Sequence, residues 1–595
     1  MNEVLSAPKW DMSVVYPGLD SSEFRAGFEA CQVKLSKLEE LFDSQDIRSG
    51  GEKSGSTSRL DTAIVAINDF ESDFETIGSY IYAFVTTDAT DSTAQAKLSE
   101  LMKLDSTLRK LKNRLAAYVA QCDVKQYVSD SNVGKDHEYA LTKMKVLGDN
   151  QMSPAEEDLA ADLMETGSSA WGRLHGDVTS QIMVTYEANG TSKTEPMAVA
   201  RAMAYDPDRS VRESAYHAEL ETWKQFEVPL AAAMNSIKGE TDVLCTRRGW
   251  DSALARTVFN CNMDMATLDA MMGAARDSFP AFRRYFKAKA RLVNESNSLD
   301  WFDIFAPIGE DTKVWQYNEG AEFVAQQFST YSDKMGDFAR RSYAENWIDA
   351  APASGKRDGA FCMGLRADES RILMTWKPSF GSVSTLAHEL GHAYHNLCLH
   401  GKTELQKQTP MTLAETASIF CETIITKAAL STGSPEENLP ILEQSVQRAA
   451  QTVVDISSRF LFEQAVFEKR ASRSLSPSEL CDLMLWAQGE TYGEGLSNHR
   501  HPYMWAVKPH YYSYSSFYNF PYMFGHLFSL GLYSVYRNDP EAFKARYDTL
   551  LASTGLSDAA TLAKGFGIDI TTAAFWEGSL ATICEEIDQF VELTR

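Results

Sequence analysis

The sequence predicts a mainly α-helical protein carrying only a little sheet. Three observations lead there. Long stretches repeat apolar residues every three or four positions, over 21–44, 60–121, 208–247, 264–293, 437–473 and 571–593. Only two places alternate apolar and polar residues as strands do. No apolar run approaches the ~20 residues that a membrane-spanning helix needs.

Taken in order, the opening Met1-Asn-Glu-Val-Leu-Ser-Ala-Pro-Lys-Trp10 has neither a basic nor an apolar leader segment, so no secretory signal is expected. After the helix over 21–44, Asp46 to Arg59 is rich in Gly and Ser and reads as a loop. Its Gly50-Gly-Glu-Lys-Ser-Gly55-Ser lacks the Lys after the second Gly that a phosphate-binding loop requires. Gln181-Ile-Met-Val-Thr-Tyr-Glu187 alternates and is followed by Asn189-Gly190, a hairpin signal. A soft boundary falls near 200, giving an N-terminal helical region 1–200 and a second region 201–595, with no linker to mark it. The second strand pair is expected around a polar turn at Arg366-Ala-Asp-Glu-Ser370, from Gly359-Ala-Phe-Cys-Met-Gly364 and Arg371-Ile-Leu-Met-Thr-Trp376. It comes directly before an apolar stretch that can be helical. A strand beside such a helix can take an extended peptide at its open edge; packing the domain is the equal alternative.

Composition narrows the partners. The 595 residues carry a net charge of −25, which argues against nucleic acid and anionic membrane surfaces, both of which need clustered Lys and Arg. The nine cysteines are scattered and form no C-x-x-C pair, which reads as reduced thiols in a cytoplasmic setting.

Chemistry is concentrated at Ser384-Thr-Leu-Ala-His388-Glu-Leu-Gly-His392-Ala-Tyr394. Residues four apart share a helix face, so His388 and His392 can address one metal ion, with Glu389 about 100° round from His388. Two neutral imidazoles suit Zn²⁺, and the carboxylate beside them suits a base for metal-activated water. A catalytic zinc has three protein ligands and one open position. The extended pattern that supplies a third His requires Gly and His where His395 and Cys398 stand, so it is excluded. Downstream, Met411-Thr-Leu-Ala-Glu415-Thr-Ala-Ser-Ile-Phe-Cys-Glu422 puts two carboxylates two turns apart on a helix that Thr412 can cap. We assign Glu415 as third ligand, with Glu422 the alternative and otherwise the acceptor of a ring N–H from a ligand His. Glu404 is a further option in a polar loop. Between His499 and Tyr522 lie six tyrosines and three histidines, neutral donors suited to an oxyanion and more than packing requires.

His388-Glu-Leu-Gly-His392-Ala, Ala414-Glu-Thr-Ala-Ser-Ile-Phe-Cys-Glu422 and Pro509-His-Tyr-Tyr512 together resemble oligoendopeptidase F, a relative of thimet oligopeptidase. Gly355-Lys-Arg-Asp-Gly-Ala-Phe-Cys362 and Trp10-Asp-Met-Ser-Val-Val-Tyr-Pro17 share the likeness, which covers nearly the whole chain. The resemblance implies an almost all-helical, two-lobed zinc peptidase with a deep cleft and a small β-sheet beside the H-E-x-x-H helix, acting on short peptides. It implies one zinc per chain on His388, His392 and Glu415, catalysis by Glu389, and substrate contacts from His510 and Tyr518. Tyr511, Tyr514 and Tyr522 also fit the family's tyrosine spacing, and Phe520 stands where relatives often have Tyr. A dipeptidyl carboxypeptidase on the same fold is the alternative. It needs a cation for the substrate's C-terminus, for which Arg366, Arg371 and Lys508 are available. A peptide-binding protein with a structural metal is the remaining reading. Oligomeric state is left open, a monomer included.

Overall fold

The small sheet beside the metal-type helix is where backbone and site meet, and the helices around it are built to hold it. The computed structural model describes residues 7–309 and 313–595; Met1 to Ser6, where the opening was read for a secretory signal, lie outside the described residues. Contacts divide the chain into two units. One comprises Met1–Gln151, Lys313–Ala428 and Val535–Leu562, the other Met152–Thr312, Ala429–Ser534 and Ala563–Arg595. Both expected regions, 1–200 and 201–595, contribute to both units.

The first unit begins with the amphipathic helices Ser22–Ser44, Ser56–Thr87 and Ser92–Ala120. The helical periodicity over 60–121 belongs to two helices. Asp91 ends the continuity because its carboxylate accepts from the N–H groups of Thr93 and Ala94 and starts a new helix. Their apolar faces bury Phe24, Ile64, Phe70, Tyr80, Leu115 and Tyr118. The Trp10–Pro17 stretch seals this core. Tyr16 packs edge-on against Phe24 and Tyr80 at 5.5 and 5.1 Å, and its carbonyl accepts from the Tyr80 hydroxyl at 2.9 Å.

The second strand pair appears as β4 (Phe361–Arg366) and β5 (Glu369–Leu373), antiparallel, with Ala367 at φ 46° in the turn. A short strand that the sequence reading missed, β3 (Ile348–Asp349), pairs with β5 in parallel, leaving β4 at the sheet edge. Two residues are too few to show alternation. The Gly364 carbonyl on β4 accepts from Ser79 Oγ at 2.7 Å. Arg371 of β5 is fully buried and donates to the Asp11 carbonyl at 3.1 and 2.9 Å, tying the N-terminal stretch to the sheet.

In the second unit, β1 (Met183–Ala188) and β2 (Thr191–Pro196) form the expected hairpin. Asn189 and Gly190 both take positive φ, 54° and 73°, as a two-residue turn of this hand requires. Long helices Arg209–Arg247, Met265–Val293 and Ala573–Leu593 follow the periodicity closely. The 437–473 stretch is Pro435–Ala450 and Ile456–Arg470 joined through a π-helical turn, Gln451–Asp455. Among the described residues no helix is long and apolar enough to cross a membrane. Cys31, Cys122, Cys245 and Cys421 are buried thiols.

Candidate metal centre

His388 and His392 lie on the helix Phe380–Cys398, whose other faces bury Leu386, Leu390, Ala393 and Tyr394. That burial fixes the helix's rotation, so the one stripe left half-open carries both imidazoles. Their ring centroids are 4.9 Å apart with planes at 80°. Both Nε2 atoms face Glu415 Oε2, at 3.2 Å from His388 and 3.4 Å from His392. One ligand atom from each of the three residues lies within 4.8 Å of the others, so this group could hold a metal ion.

Glu415 does not sit within a helix. It is the junction (φ −86°, ψ 4°) between the short helix Met411–Ala414 and the helix Thr416–Thr432. Thr412 does not cap it either, since the short helix starts after Pro410 and Thr412 is buried inside it. The two carboxylates nevertheless reach the same imidazole from opposite sides: Glu422 Oε2 is 3.2 Å from His388 Nδ1. Ser384 Oγ donates to the other Glu422 oxygen at 3.0 Å, and Ser418 Oγ donates to Glu415 Oε2 at 2.6 Å. Neither serine stands out in the sequence, although Ser384 is one helical turn from His388 on the same face.

Gly391 explains how the second carboxylate-bearing segment comes so close. A Cβ there would meet the Ala417 carbonyl oxygen and Ser418 Cα, each at 2.6 Å. Only a residue without a side chain lets the two helices touch backbone to backbone and deliver Glu415 to the histidines.

Glu389 is buried at 5% exposure, and its Oε2 has no hydrogen-bond partner among the described residues. Burial pushes its carboxyl above the ordinary range, the two histidines pull the other way, and Glu415 adds to the rise. Burial would raise Glu415 too, but hydrogen bonds with His388 and His392 outweigh it and hold that carboxyl well below the usual range. The sheet is pinned to this helix through Asn396, which donates to Ser370 Oγ at 3.1 Å. His395 serves packing: its Nε2 lies 2.9 Å from Thr554 Oγ1, and burial moves its pKa down to about 4. Glu404 pairs with Lys407 at 2.7 Å.

The His499–Tyr522 segment belongs to the other unit, and much of it is structural. His499 Nδ1 is 2.9 Å from Asp300, His501 Nε2 is 3.0 Å from Glu219, and the Tyr503 hydroxyl donates to Glu227 at 2.8 Å. Tyr511, Tyr512 and Phe520 are buried, whereas Tyr514 is exposed. His510 and Tyr518 do form a pair, with rings stacked at 4.7 Å. His510 Nδ1 has no partner among the described residues, and burial, helped by the Arg459 and Lys508 charges, lowers its pKa. Of the three cations considered for a peptide C-terminus, Arg371 is spent on the Asp11 and Ser370 carbonyls and on Glu369, and Arg366 on Glu369 at 3.0 Å.

The sequence profile of peptidase family M3 matches residues 202–582. An oligoendopeptidase F homolog from Lactococcus lactis subsp. lactis is 22% identical over 88% of this chain and 87% of its own length. The group B oligopeptidase PepB of Streptococcus agalactiae is 21% identical over 98% and 97%. Among solved structures, oligoendopeptidase F from Enterococcus faecium superposes with TM-score 0.70 at 18% identity, covering 96% of this chain and 98% of its own. With the mainly helical fold and the H-E-x-x-H helix in place, the match over more than half of its length means that this chain is a peptidase and belongs to peptidase family M3.

Proposed function

We propose that the chain is a zinc-dependent endopeptidase that cleaves short oligopeptides. The observation that carries this is the convergence of two imidazole nitrogens and a carboxylate oxygen beside a buried carboxylate, Glu389, that has an unpartnered oxygen. The donor set fits zinc: His388, His392 and Glu415 are three ligands of the right type, with a position left over for chemistry. Bound there, one zinc per chain would act as a Lewis acid toward a peptide carbonyl and a water molecule. Glu389 is then the proton carrier. Its unpartnered oxygen accepts a proton from the attacking water, and the same carboxyl delivers it to the departing amine. Glu422 holds His388 Nδ1 and so keeps Nε2 turned toward Glu415.

His510 and Tyr518 are proposed to donate to the carbonyl oxygen as it gains charge; their stacking and the lowered pKa of His510 support a neutral donor there. The edge strand β4 is proposed to align the peptide, and 201–595 to be the catalytic region, which the family match over 202–582 supports. A cytoplasmic location rests on the buried thiols and is checked by cell fractionation.

Glu389→Gln tests the core of this reading. The variant is expected to bind one zinc per chain and to lose turnover on a quenched oligopeptide by on the order of 10²–10⁴-fold. Undiminished turnover, or a wild-type protein that binds no zinc, refutes it.

A further inference from the structure

A cavity of about 300 Å³ lies wholly within the second unit, and nothing in the proposed hydrolysis uses it. Its walls combine aromatic surface from Tyr205, Phe286, Trp301 and Phe305 with six charged groups, Arg201, Arg212, Glu219, Asp455, Arg459 and Lys508. Four of those charges cancel in pairs. Arg201 donates to Glu219, and Arg459 donates to Asp455. Arg212, also on the wall, is spent on Asp303 and on the carbonyls of Asp206 and Pro207.

Lys508 is the charge left over. Among the described residues its ammonium has no ion pair and no side-chain hydrogen bond, although three donors must be satisfied there. The buried Nε of Arg459 also has no acceptor. Burial moves the Lys508 pKa down to about 8, the Arg459 and Arg201 charges add to the fall, and the Asp455 and Glu219 carboxylates, each already paired with an arginine, only partly oppose it. Asp455 belongs to the π-helical turn Gln451–Asp455, and Gln451 lies in the same wall. Such turns insert one residue into a helix and occur frequently at functional sites.

We propose that this cavity binds a monoanionic carboxylate with an aromatic or aliphatic body, its oxygens received by Lys508 and Arg459 Nε and its apolar part lying against the Trp301 side. The stoichiometry follows from the charges: one unmatched cation takes one carboxylate, and a dianion would overfill it. The neutral amide of the same acid has the same shape but no charge for Lys508 to meet. Two sources carry this chemistry, a free small acid and the C-terminus of a peptide substrate.

Calorimetry on the zinc-loaded protein with N-acetyl-L-phenylalanine and with its carboxamide decides the matter without relying on turnover, so its outcome is independent of the proposed hydrolysis. The acid is expected to bind with a 1:1 ratio and at least roughly tenfold more tightly than the amide, and Lys508→Met to remove that preference. Equal binding of acid and amide, no binding of either, or an unchanged preference in the variant overturns the site. The wild-type contrast stands even if the variant fails to fold. Cleavage of one peptide with free and amidated C-termini then separates the sources. A KM advantage for the free acid that disappears in Lys508→Met identifies the substrate's own C-terminus; equal KM values with acid binding intact identify a separate small acid.

Discussion

Two clusters in this chain put histidine against glutamate, and they behave in opposite ways. In one, His388 and His392 turn their Nε2 atoms toward a single oxygen of Glu415, all three half-open. In the other, buried Glu219 accepts from Arg201, from Trp223 Nε1 at 3.0 Å and from His501 at 3.0 Å. Glu219 already has a permanent cation and an indole donor. Glu415 faces two imidazoles and a serine. The residue types are nearly the same; what differs is that an arginine faces Glu219 while two imidazoles face one oxygen of Glu415. Where Arg is present, the cluster holds the fold together. Where imidazoles face the carboxylate instead, three donor atoms of the kind that could hold a metal ion are gathered.

The largest test of this contrast is Glu219→Gln. Removing one charge from a buried pair leaves its partner uncompensated, which costs about 3 kcal/mol or more. The loss is expected in the thermal midpoint with bound metal unchanged. Its pH dependence has a definite sign. The Arg201 charge and His501 bring Glu219 down from 4.5 to about 2 against its burial, so its stabilisation is fully present above pH 4.5. It disappears as pH falls toward about 2, and the stability difference between wild type and variant closes over that window. Denaturant titrations at several pH values check this. A gap that stays constant to the acid end, or metal lost along with stability, would break the distinction between the two clusters.

Gly391→Ala acts on the other side of the comparison. The new Cβ would overlap the Ala417 carbonyl and Ser418 Cα, both backbone atoms or fixed to it, so the helices must separate. Overpacking of this kind costs about 1–3 kcal/mol. Because Glu415 directly precedes the displaced segment, bound metal is expected to fall well below one per chain at a metal concentration that saturates the wild type. Full metal content in a measurably destabilised variant would show that Glu415 reaches the histidines without this close approach.

These two residues also show what can be read from the sequence. His388, His392 and Glu389 were legible because helical periodicity alone puts them on one side. The mainly helical fold, the Asn189-Gly190 hairpin and the β4–β5 pair were legible for the same reason: each is a local pattern. Glu415 was read as a helical carboxylate, whereas it stands at a junction between two helices, and no local pattern marks the break. His501 lies 282 positions from Glu219 in the chain, and no local pattern announces such a cluster. The crowd of tyrosines and histidines after His499 misled for the same reason. Most of its members meet distant carboxylates or pack in the core, and only their partners show which are left for chemistry.

Ser384→Ala is the finest probe of the metal-type cluster. Ser384 touches neither Glu415 nor His392; it donates to Glu422 Oε1, whose other oxygen faces His388 Nδ1. Removing the hydroxyl takes one donor from Glu422 Oε1 and loosens the orientation of a single imidazole. Residues that orient ligands directly change metal affinity by about 10–100-fold, so one step further out the expected change is under roughly tenfold. Stability should move by less than about 1.5 kcal/mol, the worth of one hydrogen bond. Competition with a chelator of known affinity measures the first and thermal unfolding of the metal-free protein the second. A loss as large as that of Glu422→Gln would mean that the serine fixes the whole carboxylate, and that His388 is held through the chain Ser384–Glu422–His388 rather than by Glu422 alone.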